Sequence, residues 1–253
     1  MFHKWRIAQK MRRQTTPMVL VGFVLKRGGF HGILLLYCNL TEEVANMIAI
    51  LDYGAGNLRS VQLAFARMGL SAQPTRDPAV VERASGVILP GVGAFADAMQ
   101  ALNASGLVPA IRQTVEAGKP FLGICLGMQA LFEQSEEGPG VPGLGLLPGK
   151  VALLPDRGLK IPHMGWNSLR ICQPDSPLVQ GLPDEPYMYF VHSYACQAAR
   201  PEDVLATSTY GVEFHAAVQR GNVMGVQFHP EKSGRVGERL LRNFAAMAGE
   251  EEH

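Results

Sequence analysis

The sequence predicts an α/β fold: a mostly parallel central sheet with flanking helices, plus additional short strands in the C-terminal half. Three observations carry this. Short apolar runs at Ile48–Leu51, Gly86–Leu89 and Pro120–Ile124 have the length of buried strands. Between them, apolar residues recur at helical spacing, and strands alternating with helices of about ten residues imply βαβ units and a parallel sheet. Turn formers close each run, and residues able to do chemistry stand at those ends, where open α/β sheets form their sites.

The 253 residues, 47% hydrophobic and 18% charged, can bury the core of one large domain or two small ones. The net charge of +1 conceals a split. Seven Lys and Arg stand against Glu42 and Glu43 before Met47, and acids are in excess after it. That mild acidity gives no reason to expect nucleic acid as a partner. Cys38, Cys125, Cys172 and Cys196 are irregularly spaced with no CxxC or Cys/His pattern, so neither a disulfide framework nor a metal site is expected. A reducing, cytoplasmic setting suits a cysteine that must remain a thiol.

Residues 1–46 are expected to be an extension outside the fold, disordered or not native, with Met47 as a natural start; a targeting arm is the alternative. Their apolar stretches, Met18–Leu25 and Gly32–Leu40, are broken by Lys26-Arg27-Gly28-Gly29 and fall short of the roughly 18–20 residues of a membrane span. Basic and apolar pieces alternate, unlike a secretory signal.

From Met47 to His253 one domain is expected. The first strand, Ile48–Leu51, ends in Asp52-Tyr-Gly-Ala-Gly-Asn57, and Leu58, Val61, Leu63, Ala64 and Met68 form a helix closed by Gly69. Gly54 and Gly56 suggest a dinucleotide fingerprint, but Arg59 occupies its third glycine position, so no cofactor is expected. The strand at Gly86–Leu89 ends in Pro90-Gly-Val-Gly93, followed by helices over Ala94–Leu102 and Leu107–Ala117. Glu133–Gly149 reads as a loop. Short strands follow at Val151–Leu154, His163–Leu169, Tyr187–Val191, Val204–Ser208, Val212–Val218 and Val223–Phe228, before a last helix over Gly237–Ala248.

Gly123-Ile-Cys125-Leu-Gly127 has glycines two positions before and after a cysteine, the spacing of a nucleophile elbow. The glycines are required where a Cβ would strike the neighbouring strand or helix. A helix starting near Leu126 points free N–H groups at the sulfur. A buried cysteine in an apolar strand is the alternative, and the elbow alone does not decide. A cysteine nucleophile needs a base and a group to orient it. His229-Pro-Glu231 follows a strand, and in extended chain residues i and i+2 share a side, which brings Glu231 to the His229 ring. Pro90–Gly93 offers bare N–H groups for an oxyanion hole, or is an ordinary strand-to-helix turn.

In this order, Pro-Gly-Val-Gly, Gly-Ile-Cys-Leu-Gly-Met-Gln and His-Pro-Glu resemble the class I, or triad, glutamine amidotransferases, whose fold is flavodoxin-like. Within them Asp52–Arg59, His163-Met-Gly-Trp-Asn167, Tyr189–Tyr194 and His229-Pro-Glu-Lys-Ser233 resemble the glutaminase subunits of imidazole glycerol phosphate synthase. The resemblance spans Ile48 to Phe244. It implies that Cys125 attacks the side-chain amide of glutamine, with His229 as base and Glu231 holding its ring. Backbone N–H groups near Gly91, Val92 and Leu126 would bind the oxyanion. Gln129, Glu137, Ser193 and Tyr194 would hold the amino-acid end of the substrate. It also implies a cyclase partner, a (β/α)₈ barrel met by Asn57, His163, Met164, Trp166, Asn167 and Lys232. That partner receives ammonia and makes imidazole glycerol phosphate and aminoimidazole carboxamide ribotide in histidine biosynthesis. Glutaminase activity would depend on the partner, through reorientation of the backbone near Val92. The alternatives are a triad amidotransferase for a different synthase, a free-standing Cys–His γ-glutamyl hydrolase, or a silent scaffold.

Overall fold

The computed structural model describes residues 20–27, 30–37 and 47–249. Leu20–Arg27 (β1) and Phe30–Tyr37 (β2) pair antiparallel, with Leu20 opposite Tyr37 and Arg27 opposite Phe30. The apolar runs to which the sequence assigns no element thus make a hairpin, within a separate unit bounded by Met1 and Glu43. The rest of the N-terminal stretch lies outside the described residues.

The second unit begins with Ile48–Leu51 (β3), Leu58–Arg67 (α1), Ala72–Thr75 (β4) and Pro78–Arg83 (α2). Gly86–Gly91 (β5), Phe95–Ala104 (α3), Val108–Glu116 (α4), Phe121–Cys125 (β6) and Leu126–Ala130 (α5) follow. The order β4-β3-β5-β6 is parallel throughout.

The strand β4 and helix α2 have no counterpart among the elements expected from sequence. Ala72-Gln-Pro-Thr75 lacks an apolar run because β4 is the edge strand, and Pro74 is tolerated where one side of a strand has no partner. Asp77 caps α2 by accepting a hydrogen bond from the Ala79 N–H at 2.9 Å, with Pro78 in the first turn.

The C-terminal half comprises Gln134–Ser135 (β7), Gly149–Leu153 (β8), His163–Ser168 (β9), Arg170–Ile171 (β10), Tyr187–His192 (β11), Tyr194–Ala198 (β12), Val204–Tyr210 (β13), Val212–Arg220 (β14), Val223–Val226 (β15) and Gly234–Met247 (α6). The expected loop after Phe132 therefore contains one short strand. β15 inserts beside β6, parallel to it, with Val223 opposite Phe121 and Val226 opposite Ile124. On its other side β15 is antiparallel to β14, and the sheet continues antiparallel through β12 and β8. β9 and β11 form a separate antiparallel pair.

Both faces of the parallel part are covered. In β3, Ile48 and Ile50 face Phe65 of α1 and Leu240 and Phe244 of α6, while Ala49 and Leu51 face Phe95 and Met99 of α3 and Ile111 of α4. In β5, Ile88 and Leu89 divide in the same way. Burial on both faces is why these strands read as continuous apolar runs rather than alternating ones. Among the described residues no helix is long and apolar enough to cross a membrane.

Candidate active site

Cys125 ends β6 and directly precedes α5, with φ 55° and ψ −112°. Among the described residues it is the one non-glycine with positive φ. Holding such a conformation costs about 1–3 kcal/mol, which packing around the turn must offset. The glycines show how. A Cβ on Gly123 would stand 2.6 Å from the Gly127 carbonyl oxygen, and one on Gly127 would collide with the Leu89 carbonyl of β5. A Cβ on Gly91, which pairs with Cys125 in register, would stand 2.8 Å from the Gly127 nitrogen. The bare backbone of three glycines lets the turn sit flush on the sheet. The helix that follows has only five residues, shorter than a macrodipole argument needs. Any help for the sulfur comes from individual N–H groups.

His229 and Glu231 come next to this elbow because β15 is the neighbour of β6. His229 Nδ1 lies 3.0 Å from Glu231 Oε1, and both side chains are almost fully buried. The route differs from the one expected: Glu231 reaches the ring through a 3-10 turn over Pro230–Lys232, not through continued strand. The turn is anchored, since the Ser233 hydroxyl donates to the His229 carbonyl at 2.7 Å and accepts from the Tyr189 N–H at 3.0 Å. The His229 N–H donates to the Tyr189 carbonyl at 2.9 Å.

His229 Nε2 makes no hydrogen bond to any described residue, which leaves that nitrogen for the thiol and substrate. Burial alone would push the imidazole down; the adjoining Cys125 and Glu231 side chains outweigh it and raise it to about 9. The ring therefore keeps its second proton through neutral pH.

A cleft of about 280 Å³ opens over these groups. It lies just below the ~300–1,000 Å³ range of pockets that take drug-sized ligands, which suits a small molecule. Val92, Gly93, Cys125, Leu126, Gln129 and Glu137 line one part of it, and Val191–Tyr194 and His229 another. Val92 is 44% exposed and Gly93 has φ +97°, while Gly91 is packed beneath the turn. The Tyr53 hydroxyl donates to the Pro90 carbonyl at 2.9 Å, tying this loop to the end of β3. Glu137 Oε2 accepts from the Phe95 N–H at 2.8 Å, at the start of α3. Ser193 and Tyr194 are half-buried in the cleft wall, and Gln129 is buried with its amide on the Tyr194 carbonyl.

The residues expected to meet a partner divide. Met164 and Trp166 project from β9 at 63% and 57% exposure. His163, one step along the same strand, is 3% exposed and points inward, since successive side chains of a strand face opposite ways. It is not an open surface residue. Asn167 is half-buried and donates to the Thr209 carbonyl at 2.9 Å. Asn57 starts α1, against which the Pro230–Lys232 turn packs, and Lys232 is exposed on that turn. Trp166 stands edge-to-face with Tyr189, ring centres 6.1 Å apart.

Two polar residues of the site carry no role in the sequence reading. His192 lines the cleft, and buried Gln227 places Nε2 3.7 Å from Cys125 Sγ. Gln227 stands two residues before His229, just after β15, but the partners that give it a place in the site are distant in sequence. Among the described residues no group of three His, Cys, Asp or Glu side chains could hold a metal ion.

The model of the family described as "Glutamine amidotransferase class-I" matches residues 49–248. The imidazole glycerol phosphate synthase subunit HisH of Moorella thermoacetica is 55% identical over 200 residues, covering 79% of this chain and 94% of that protein. The protein of the same name from Methanothermobacter thermautotrophicus is 52% identical over 201 residues, covering 79% and 98%. Among solved structures, a crystal structure of a glutamine amidotransferase superposes with a TM-score of 0.64 at 24% identity, over 80% of this chain and 99% of that one. At that identity the likeness speaks for the fold alone.

Proposed function

The chain belongs to the class-I glutamine amidotransferases and, within them, with the glutaminase subunits of imidazole glycerol phosphate synthase in histidine biosynthesis; from this premise we propose that Cys125, His229 and Glu231 carry the hydrolysis. The reaction turns glutamine into glutamate and ammonia and passes the ammonia to a cyclase subunit. The observation that carries the assignment is the 3.0 Å pairing of His229 with Glu231 at the strand end beside the Cys125 elbow.

The sulfur attacks the side-chain amide carbon of glutamine, and negative charge develops on the amide oxygen. N–H groups of Val92 and Leu126, at the cleft wall beside the sulfur, are proposed to receive it. Gly91 serves by its closeness to the turn. Collapse of this intermediate breaks the C–N bond, and His229 supplies the proton that lets the amine leave as ammonia. Glu231 keeps the imidazole oriented and supports its positive charge. Water then attacks the thioester, with His229 now accepting a proton, and glutamate departs. Gln129, Glu137, Ser193 and Tyr194 are proposed to receive the substrate's charged amino-acid end.

Ammonia released into bulk water would be protonated and lost as a nucleophile, so the product must enter the partner directly. Met164 and Trp166 are proposed to meet the cyclase, with Asn57 and Lys232. His163 and Asn167 support that face from behind. The backbone near Val92 is proposed to reorient on docking, which would make hydrolysis depend on the partner. A free thiol suits the reducing cytoplasm, where we place the protein, with residues 47–253 as the working domain. The test is glutamate release with and without the cyclase and its ribotide substrate. Full-rate hydrolysis by the isolated chain would contradict the coupling, and none in the complex would contradict the function.

A further inference from the structure

The cleft contains polar groups that the triad does not use, and their hydrogen bonds have only one consistent direction. The backbone carbonyl of Tyr194 faces two donors, Gln129 Nε2 at 3.1 Å and His192 Nδ1 at 2.9 Å. A carbonyl has no proton to give, so both nitrogens must donate. In a neutral His192 ring the other nitrogen, Nε2, is then an acceptor. His163 Nδ1 lies 2.9 Å from it and must donate. His163 Nε2 becomes the acceptor in turn, and Asn167 Nδ2 faces it at 3.3 Å.

The orientation of Asn167 is set independently. Its Nδ2 also donates to the Thr209 carbonyl at 2.9 Å, and its Oδ1 accepts from the Ser168 N–H at 2.9 Å. The two ends of the chain therefore agree on the same direction through two imidazoles. Burial holds both rings down at about 4, so each keeps a lone pair at neutral pH. His163 is clamped between Phe190 and Tyr210, with ring centres 5.0 and 4.1 Å away.

A second arm leaves the same carbonyl. The remaining hydrogen of Gln129 Nε2 goes to Gln227 Oε1 at 3.1 Å. That bond turns the other end of the Gln227 amide, Nε2, toward Cys125 Sγ. Gln227 is fully buried and Gln129 nearly so, which leaves neither amide free to flip without losing a partner.

We propose that Gln227 is a positioning residue for the nucleophile, aimed at Cys125 Sγ by Gln129, and that Asn167, His163 and His192 act through the Tyr194 carbonyl to hold that aim. The proposal rests on the reading of Cys125 as the nucleophile. One N–H on the sulfur along a fixed line supports its negative charge and restrains its rotation, so that it faces the cleft. His163 thereby has a function inside the molecule that its burial permits, in place of the surface role expected from the sequence.

The test is the rate at which iodoacetamide alkylates Cys125 in the full chain at pH 7, followed by mass spectrometry of the Cys125 peptide. This readout needs neither glutamine nor cyclase. Gln227→Met keeps the side-chain length and removes the donor, and is expected to slow alkylation about tenfold. His163→Phe keeps a ring between Phe190 and Tyr210 but breaks both bonds, and is expected to slow it about threefold. His163→Asn can restore a donor toward His192 and is expected to return the rate to near that of the parent. In the complex with the cyclase, Gln227→Met is expected to lower kcat and leave KM in place. A Gln227→Met chain alkylated at the parental rate overturns the proposal, as does equal slowing by His163→Phe and His163→Asn. If Gln227→Met does not fold, Gln227→Glu takes its place, and parental reactivity there overturns the proposal as well. Alkylation slowed as expected, with no glutamine hydrolysis in the parental complex, would support the positioning role and defeat the assigned reaction.

Discussion

Gly127 rests on the backbone carbonyl of Leu89 so closely that any Cβ at 127 would collide with its oxygen. The contact fastens the first turn of α5 to β5, and with it the backbone conformation that presents Cys125. Gly127→Ala is expected to cost about 2–4 kcal/mol, more than ordinary overpacking because the obstacle is backbone and cannot rotate away. Urea unfolding of the full chain measures this. A loss below about 1 kcal/mol would mean that the turn yields easily.

Cys125→Ala should leave the fold intact, since the side chain is small and its neighbours are apolar on the core side. Glutamine hydrolysis in the complex should fall on the order of 10³-fold or more, because nothing else in the cleft can form the thioester. Product formation with added ammonium salt should persist. Retained glutamine-dependent turnover would remove Cys125 from the mechanism.

Glu231→Gln keeps a hydrogen-bonding atom near His229 Nδ1 but removes the negative charge. The imidazole should then titrate below its present value of about 9, and kcat should fall roughly 10²- to 10⁴-fold. An NMR titration of His229 beside a kcat–pH profile checks both. An unchanged titration would show that the carboxylate does not support the charge.

Stability should peak near pH 6.5 and decline on both sides. His229 is raised to about 9, so the stabilisation from its proton is fully present below the unfolded value of 6.5 and lost as pH rises through 9. His163 and His192 are lowered to about 4 by burial, so the unfolded chain takes up their protons first and stability falls as pH drops from 6.5 toward 4. Urea midpoints from pH 4 to 10 test this. His229→Asn should flatten the alkaline limb and leave the acid limb in place.

A chain starting at Met47 should bind the cyclase and hydrolyse glutamine like the full chain, since the hairpin of β1 and β2 belongs to a different unit. Comparing kcat in the two complexes decides it. A loss beyond about tenfold would give the first 46 residues a part in the reaction.

The elbow, the His229–Glu231 pair and the glycine turn at Pro90–Gly93 were legible in the sequence because each is a local pattern at a strand end. The parallel strands were legible because burial on both faces leaves an unbroken apolar run. β4 was not, since an edge strand needs little apolar character and carries Pro74. Sequence alternation suggests continued strand between His229 and Glu231 because His229 itself is extended; the 3-10 turn begins only at Pro230, which alternation does not reveal. Gln227 was missed for a different reason. Its role arises from contacts with Gln129 and Cys125, about a hundred positions away, and no local spacing encodes them. The inward turn of His163 follows from strand alternation once Met164 and Trp166 are known to face out.

β15 lies between β6 and β14, so the strand that supplies His229 is the one that joins the two halves of the sheet. During synthesis the thiol emerges roughly a hundred residues before its base. Until that strand is added, the chain lacks the imidazole that the proposed reaction needs beside Cys125. Under the proposed reaction, release of ammonia therefore has to await the last strand of the sheet.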